Sequence, residues 1–265
     1  GLFNSNNLFV NLWNNLNKIL FNNAELVITL TDKMKENISS KYPLKKIGVV
    51  SPWVDTNKIK PIKYEDNKFA TSFVEEGKFV VMYSGNMGLS HDIDTILDTA
   101  LLLKNESNIF FLFIGHGPGY KKIKNFLKKN ALKNIGLHPF QPKSKIKYTL
   151  PLASLSIVSV KSGFDDLLIP SKTFYYLAAG SALITISKKN SELSKLVEKH
   201  KVGIAILPGD SDGLATNIKK LMQDKRKIIL MQANARELAL NSFSRKESIK
   251  NVLNLFKDSK LISNI

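Results

Sequence analysis

Short apolar runs alternate with longer amphipathic segments along most of this chain. Residues 79–84, 109–114, 154–160 and 182–186 are nearly unbroken runs of apolar and small residues, each of strand length. Such runs indicate strands that are buried on both faces, which is typical of parallel sheets covered by helices. The segments between them, such as residues 92–103, place apolar positions three or four residues apart and predict helices. The alternation predicts an α/β fold built on a doubly wound, Rossmann-like parallel sheet.

The same pattern extends over the rest of the chain. Further strands are predicted at 25–31, 47–50, 135–140 and 202–207, and further helices at 32–39, 119–129, 144–150, 171–179, 192–200, 211–223, 227–240 and 245–256. Asp32 is predicted to cap the helix that follows the first strand. Residues 58–78 are polar and contain Pro61, which predicts a linker or a domain boundary.

The composition allows a sizeable core and excludes several kinds of site. Of the 265 residues, 43% are hydrophobic and none is cysteine, so disulfides and cysteine metal sites are excluded. No apolar run approaches the roughly 18 residues that a membrane-spanning helix needs. The N-terminal residues lack the basic leader and cleavage site of a signal peptide. We therefore expect a soluble or peripheral protein of the cytoplasm.

The chain carries a formal charge of +17 and has an isoelectric point of about 9.8. Such a charge suits solvated helix faces, a nucleic-acid partner, or attraction to an anionic membrane or a phosphate-bearing ligand. No basic and aromatic cluster in the sequence resembles a nucleic-acid-binding module, so we expect no nucleic-acid partner. The lysines fall mostly as short pairs on predicted helix surfaces, which favours the solvated faces. Peripheral contact with the inner face of a membrane stays open.

In a doubly wound sheet, ligands bind at the loops that follow the strands. The first such loop, residues 84–88, contains Gly85 and Gly88, and glycine lets a backbone approach a phosphate at the start of a helix. An ordinary strand-to-helix turn explains these glycines equally well. The second loop, residues 115–119, holds three glycines and His116. This histidine suits contact with a base or a phosphate, although a solvated loop histidine is the commoner situation.

The third loop carries two carboxylates, Asp165 and Asp166, and leads into a helix with an unusual first turn. Pro170 suits a helix start, and Ser171 and Lys172 follow it. A lysine in a first turn opposes the helix dipole unless a bound anion lies at the same helix end. A diphosphate would meet free N–H groups, a hydroxyl and an ammonium there, whereas the alternative is a solvated lysine.

Taken in order, these segments resemble the family-4 glycosyltransferases of the GT-B fold over about residues 24–257. The resemblance rests on YSGNMGLSHDIDTILDTA, FLFIGHGPG, PSKTFYYLAAG, VGIAILPGD and FSRKESIKNVLNLF. These segments are similar to the first strand and loop, the second glycine loop, the donor-site helix, the late turn and the closing helix of that family. Several ordered matches are more specific than any single loop. The most similar subgroup builds surface polysaccharides, including enzymes that act on amino-sugars.

The resemblance implies an enzyme that binds a nucleotide diphosphate sugar, preferably a UDP-sugar, on its C-terminal domain. It implies transfer to a hydroxyl of a glycan or lipid-linked acceptor, usually with retention and with neither a required metal nor a separate cofactor. The basic helix start would stabilise the departing diphosphate. Carried over residue by residue, the diphosphate ligands are Gly85, Asn86, Gly88, Ser171 and Lys172. The residues near the nucleotide are Gly115, His116, Gly117 and Tyr175.

The chain departs from that family at positions that contact ribose and phosphate. Many members have two glutamates separated by seven residues, and this chain has Leu167 and Tyr175 at those positions. Tyr175 offers one hydroxyl in place of the carboxylate that normally grips the ribose. Asn86 and His91 stand where many members have Arg and Lys in the first loop.

The resemblance also divides the chain into domains. Residues 1–62 resemble the last helix–strand–helix–strand of an N-terminal acceptor domain, 63–245 a nucleotide-sugar-binding domain, and 246–265 a closing helix that packs toward the N-terminal domain. The acceptor site and the catalytic histidine of that domain are missing, so we expect a truncated chain that is inactive alone. The alternatives are a non-catalytic nucleotide-sugar-binding module and a GT-B sugar-nucleotide epimerase. The sequence shows no set of catalytic carboxylates and histidines for an epimerase.

Overall fold

The computed structural model describes residues 8–161, 163 and 169–261. The chain forms two compact units, one of Trp53–Arg245 and the other of Gly1–Pro52 together with Lys246–Ile265. The larger unit thus begins before residue 63, where the sequence predicts the nucleotide-sugar-binding domain to start, and the three-domain division stays a prediction. Within the described residues, no helix is both long enough and apolar enough to span a bilayer.

The helices and strands follow the predicted order, and each predicted element is found within two residues of its predicted bounds. The helices are α1 (Leu8–Asn23), α2 (Asp32–Ser39), α3 (Asp94–Leu102), α4 (Pro118–Asn130), α5 (Lys143–Thr149), α6 (Lys172–Ala178), α7 (Glu192–Lys199), α8 (Ser211–Gln223), α9 (Lys225–Ser242) and α10 (Arg245–Asp258). The strands are β1 (Val27–Thr29), β2 (Ile47–Val49), β3 (Phe79–Asn86), β4 (Ile109–His116), β5 (Ile135–Pro139), β6 (Leu155–Ser159), β7 (Ala182–Ile186) and β8 (Gly203–Ile206).

In the smaller unit, β1 and β2 form a parallel pair in which Val27 lies opposite Ile47. The hydroxyl of Thr31 accepts a hydrogen bond from the Met34 N–H at 3.1 Å and caps α2. The prediction that Asp32 is the cap is therefore wrong. Asp32 is the first helical residue, where its carboxylate is favourable beside the positive end of the helix dipole.

The larger unit is built on a parallel six-stranded sheet in the order β5-β4-β3-β6-β7-β8. The chain starts at β3, adds β4 and β5 on one side, and then returns to add β6, β7 and β8 on the other. The direction of strand addition therefore reverses between β3 and β6. Ligands of doubly wound sheets bind at the carboxyl ends of the strands at such a reversal. The predicted doubly wound α/β fold is confirmed.

Both faces of this sheet are buried, as the unbroken apolar runs predict. Val80 and Met82 of β3 belong to a core that includes residues of α6 and α9, whereas Val81 and Tyr83 belong to a core that includes residues of α3 and α8. Alternate residues of one strand serve opposite cores because successive side chains of a strand point to opposite faces.

The polar segment 58–78, predicted as a linker or a domain boundary, is packed into the larger unit and is not a free linker. Ile59 and Val74 are buried in the core, and the polar residues around them conceal this in the sequence. The guanidinium of Arg236 holds the chain just before this segment by donating to the carbonyl oxygen of Thr56 at 3.0 Å, and it also donates to that of Ile59 at 2.9 Å.

Candidate functional site

A cavity of about 470 Å³ lies at the carboxyl ends of β3 and β6, where strand addition reverses. The loop after β3, the segments around α5 and the start of α6 form its walls. Five of the nine residues that the sequence predicts as donor ligands line it: Gly85, Asn86, Ser171, Lys172 and Tyr175. The parallel sheet brings these residues together because the loop after β3 and the start of α6 lie at the same sheet edge.

The other four predicted residues are outside the lining of this cavity: Gly88, Gly115, His116 and Gly117. A Cβ at Gly115 would overlap the carbonyl oxygen of Gly85, and a Cβ at Gly117 would approach the Met87 carbonyl oxygen to 3.0 Å. The second glycine loop therefore makes room for the backbone of the first loop. His116 packs edge-on against Phe140, with ring centroids 5.3 Å apart, and Phe140 in turn lines the cavity.

Lys172, the first residue of α6, places a half-buried ammonium in the cavity. Its Nζ donates to Tyr83 Oη at 2.8 Å and to the Asn86 carbonyl oxygen at 3.3 Å. The same ammonium lies 3.9 Å from the centroid of the Tyr83 ring, a cation–π contact. Burial lowers the pKa of Lys172 from 10.5 to about 7. Among the described residues, no carboxylate lines the cavity to neutralise this charge.

Gly85 keeps the space beside this ammonium open. Its φ of +125° is a backbone conformation that glycine adopts far more readily than other residues. A Cβ at this position would lie 3.5 Å from Cε and 3.6 Å from Nζ of Lys172. Because glycine has no Cβ, the ammonium can be approached from the side of the first loop.

Two buried tyrosines fix the first loop to α6. The hydroxyl of Tyr176 accepts from the Ser84 N–H and donates to the Ser84 carbonyl oxygen, both at 2.7 Å. The hydroxyl of Tyr83 donates to the Asn86 carbonyl oxygen at 3.2 Å. Burial raises the pKa of both phenols, so both stay protonated and keep these hydrogen bonds. Residues 84–86 are thereby held next to Lys172.

His91 adds a neutral hydrogen-bonding group to the cavity lining. Its Nδ1 lies 2.7 Å from the Ser159 carbonyl oxygen, so Nδ1 carries the proton and Nε2 is left for a ligand. Burial, and secondly the charge of Lys172, lower the pKa of His91. The imidazole is therefore uncharged at neutral pH, and the positive charge of the site comes from Lys172.

Tyr175 lines the cavity from α6 with a side chain that is 40% exposed. Leu167, which like Tyr175 occupies the position of a family glutamate, lies outside the described residues, as do Asp165 and Asp166. Within the described part of the chain, no three His, Asp or Glu side chains are grouped so that they could hold a metal ion.

Tyr83 and Tyr176 are not among the site residues that the sequence predicts. Both lie within apolar segments, and the periodicity of such segments predicts only core residues. One feature of the sequence does indicate a polar role: both positions hold tyrosine, although phenylalanine would fill the same space. A buried phenol needs a hydrogen-bond partner, and here the partners are the backbone of the glycine loop and Lys172.

The chain matches one family profile and is similar to two curated proteins that are named as glycosyl transferases. The profile of the family "Glycosyl transferases group 1" matches residues 65–239. The chain is 22% identical over 224 residues to the probable glycosyltransferase WbjE of Pseudomonas aeruginosa, covering 84% of this chain and 56% of WbjE. It is 24% identical over 181 residues to the putative colanic acid biosynthesis glycosyl transferase WcaI of Escherichia coli (strain K12), covering 68% of this chain and 43% of WcaI.

The fold is similar to that of Anabaena Alr3699/HepE, which was solved in complex with UDP-glucose. The TM-score is 0.72 at 17% identity, and the likeness covers 94% of this chain and 67% of HepE. The chain spans about half the length of the curated relatives it matches. The family profile covers more than half of this chain and includes all three walls of the cavity, the loop after β3, the segments around α5 and the start of α6. This chain belongs to the group 1 family of glycosyl transferases.

Proposed function

We propose that this chain is the donor-binding part of a retaining glycosyltransferase. It binds a nucleotide diphosphate sugar, preferably a UDP-sugar, and the whole enzyme passes the sugar to a glycan or lipid-linked acceptor without a required metal or separate cofactor. The observation that carries the proposal is the ammonium of Lys172. It lies at the reversal of strand order, and the described residues that line its cavity offer it no carboxylate.

A diphosphate matches this electrostatic arrangement. The ammonium has already lost part of its hydration, so an anion gains more from it than from a lysine in bulk water. Gly85 leaves room beside Nζ, and the Ser171 hydroxyl, which makes no capping hydrogen bond to α6, is free to donate. Groups fixed before the reaction stabilise the negative charge that develops on a departing diphosphate.

The rest of the cavity matches a nucleoside. Phe140, Ile146 and Leu150 give it an apolar wall, and Tyr175 adds an exposed ring. Ligand pockets of this kind combine apolar and aromatic surface with a few polar groups that fix the orientation. The preference for UDP is supported by the likeness to HepE, whose solved complex contains UDP-glucose.

The acceptor class is suggested by the relatives. WcaI is named for colanic acid biosynthesis, which supports a glycan or lipid-linked acceptor in polysaccharide assembly. Because this chain spans about half of its curated relatives, we propose that it binds the donor and does not transfer sugar by itself. The net charge of +17 supports peripheral contact with an anionic membrane surface, where a lipid-linked acceptor would lie.

Calorimetry with a panel of nucleotide sugars tests the proposal. UDP-glucose, UDP-N-acetylglucosamine, GDP-mannose and ADP-glucose are titrated separately into the chain, with free glucose as the control that lacks the diphosphate. We expect a UDP-sugar to bind most tightly and free glucose not to bind. The absence of binding by every nucleotide sugar at millimolar concentration would contradict the proposed donor site.

A further inference from the structure

A second cavity, of about 1010 Å³, adjoins the first and shares Ile146 and Tyr175 with it. We name it the basic cavity after its cationic lining residues, which are Lys58, Lys68, Lys143, Lys145, Lys147 and Arg245. Asp55 is the acidic lining residue, and it already pairs with Lys58 at 3.3 Å. The described residues provide no carboxylate partner for the other five cations. The basic cavity therefore carries a large excess of positive charge.

The lysines of the basic cavity differ from other lysines of this basic chain. Elsewhere in the larger unit several surface lysines pair with carboxylates, as Lys122 does with Asp94 and Lys219 does with Glu106. Such pairs neutralise the local charge and need no ligand. Around the basic cavity, most of the ammonium groups lie over aromatic rings instead.

An aromatic pair organises three of these ammonium groups. The rings of Phe69 and Tyr148 meet edge to face with centroids 5.2 Å apart. Nζ of Lys68 lies 5.4 Å from both centroids, Nζ of Lys145 lies 5.0 Å from Phe69, and Nζ of Lys147 lies 5.0 Å from Tyr148. Cation–π attraction holds the ammonium groups in place without cancelling their charge, so their mutual repulsion favours the entry of an anion.

Buried contacts fix the walls that carry these groups. The buried side chain of Asn67 donates from Nδ2 to the Tyr148 carbonyl oxygen at 2.6 Å, which ties the segment before Phe69 to α5. The hydrogen bonds from Arg236 to the carbonyl oxygens of Thr56 and Ile59 hold the segment that carries Lys58. The cations therefore stand on a fixed surface, which lowers the entropy cost of assembling a binding site.

Two exposed rings complete the basic cavity. Trp53 is 48% exposed and lies 5.5 Å from the guanidinium carbon of Arg245, and Tyr175 is 40% exposed. Amphipathic rings of this kind pack against the apolar faces of a ligand while the polar groups around them bind its charge. A ligand that has both ring faces and negative charge would satisfy the whole lining.

We propose that the basic cavity binds an anionic saccharide, one that carries carboxylate or phosphate groups, and that it forms part of the acceptor site. Binding follows from the basic cavity itself, whereas its role for the acceptor rests on the donor function proposed above. The shared residues Ile146 and Tyr175 place such a saccharide next to the donor cavity. A nucleic acid is the competing occupant, because its bases would stack on the exposed rings of Trp53 and Tyr175. Phe69 and Tyr148 give it no further stacking surface, since they are engaged with each other and with lysines.

Binding of a tetramer of galacturonic acid to two charge-matched variants tests this proposal. Lys145→Gln/Lys147→Gln removes two charges from the basic cavity, and Lys124→Gln/Lys128→Gln removes two from the exposed side of α4. We expect the first pair to weaken binding of the tetramer by roughly tenfold or more and the second pair to change it little. Uncharged maltotetraose should not bind. Glucose 1-phosphate, titrated in parallel, shows whether phosphate or carboxylate is the better anion.

Three results would overturn the proposal. They are equal weakening by the two pairs of substitutions, no binding of either anionic saccharide to the unmodified chain, and tighter competing binding by a short oligothymidylate. UDP-glucose is titrated into the same variants and should bind to all of them alike. If the tetramer binds and UDP-glucose does not, the anionic site is supported and the proposed donor function is contradicted. If UDP-glucose binds and the tetramer does not, only the proposed anionic site is contradicted.

Discussion

At the scale of single residues, Lys172 gives the cavity at the ends of β3 and β6 its positive charge, and the residues that contact Lys172 determine how that charge behaves. The resemblance and the conflict between a first-turn lysine and the helix dipole predict this residue from sequence. Neither predicts that Tyr83 lies under the ammonium, nor that burial lowers the pKa of Lys172 to about 7. Those properties depend on a contact between residues of β3 and α6, which are far apart in sequence.

Donor affinity should depend on pH through Lys172. Its pKa in the ligand-free protein is about 7, and a bound diphosphate raises that pKa because an opposite charge favours the ammonium. We expect the affinity for UDP-glucose to be constant below about pH 7 and to fall as the pH rises above it. Titration calorimetry across this range measures the effect. Lys172→Arg is the control. Because arginine stays charged over this range, the affinity of this variant for UDP-glucose should not change with pH.

Stability should show the opposite trend. The pKa of Lys172 is lower in the folded protein than in the unfolded chain, so the unfolded chain binds the extra proton between about pH 7 and about pH 10.5. The charged lysine therefore destabilises the fold fully below pH 7, and this cost fades as the pH rises toward 10.5. We expect Lys172→Met to raise the melting temperature most at about pH 6 and least at about pH 10. A variant that melts lower than the parent at pH 6 contradicts the assigned burial.

At the scale of elements, the strands and helices from residue 79 onward follow from periodicity because both sheet faces are buried. The roles of the glycines do not follow. A glycine is needed both where one loop packs against another and where a ligand approaches the backbone, because both require a residue without a side chain. The sequence therefore does not show which of the two roles a glycine has. In the structure, Gly85 faces the ammonium of Lys172, whereas Gly115 and Gly117 make room for the first loop.

Alanine substitutions separate these two roles. A Cβ at Gly115 would overlap the Gly85 carbonyl oxygen, so we expect Gly115→Ala to lower the free energy of unfolding by about 1–3 kcal/mol. A Cβ at Gly88 would have its closest contact at 3.4 Å, with Asn86 Nδ2. We therefore expect Gly88→Ala to change the free energy of unfolding by less than about 0.5 kcal/mol. Urea denaturation of both variants measures the difference. Equal stability of the two variants would show that Gly115 does not pack against the backbone of Gly85.

The hydroxyl of Tyr176 should matter for both stability and binding. Tyr176→Phe removes both hydrogen bonds to the backbone of Ser84, a half-buried residue, and leaves its N–H and carbonyl groups without these partners, at a cost of about 1–3 kcal/mol. It should also weaken UDP-glucose binding, because the loop that contains Gly85 loses its anchor. Tyr175→Phe on the same helix is the matched control, and denaturation should show no change for it because its side chain is exposed. An unchanged free energy of unfolding in Tyr176→Phe would contradict the proposal that the Tyr176 hydroxyl anchors this loop.

At the scale of the whole molecule, the reversal of strand order between β3 and β6 explains where the first cavity lies. The sequence predicts a site at the loops that follow the strands, but it does not give the strand order. The basic cavity is not predicted from the sequence, because its cations come from residues 58–68, 143–147 and 245, which are far apart in the chain. Each group alone looks like part of a solvated surface. The fold brings them together because the polar segment 58–78, predicted as a linker or a domain boundary, packs into the larger unit.

The most direct test of the donor site is a calorimetric titration of UDP-glucose into the unmodified chain, Lys172→Ala and Lys124→Ala. Lys124 lies on the exposed side of α4 and serves as the control for the loss of one positive charge. We predict that the unmodified chain and Lys124→Ala bind with the same affinity and that Lys172→Ala binds at least about tenfold more weakly. Equal binding by all three proteins would contradict the assignment of Lys172 as the diphosphate ligand.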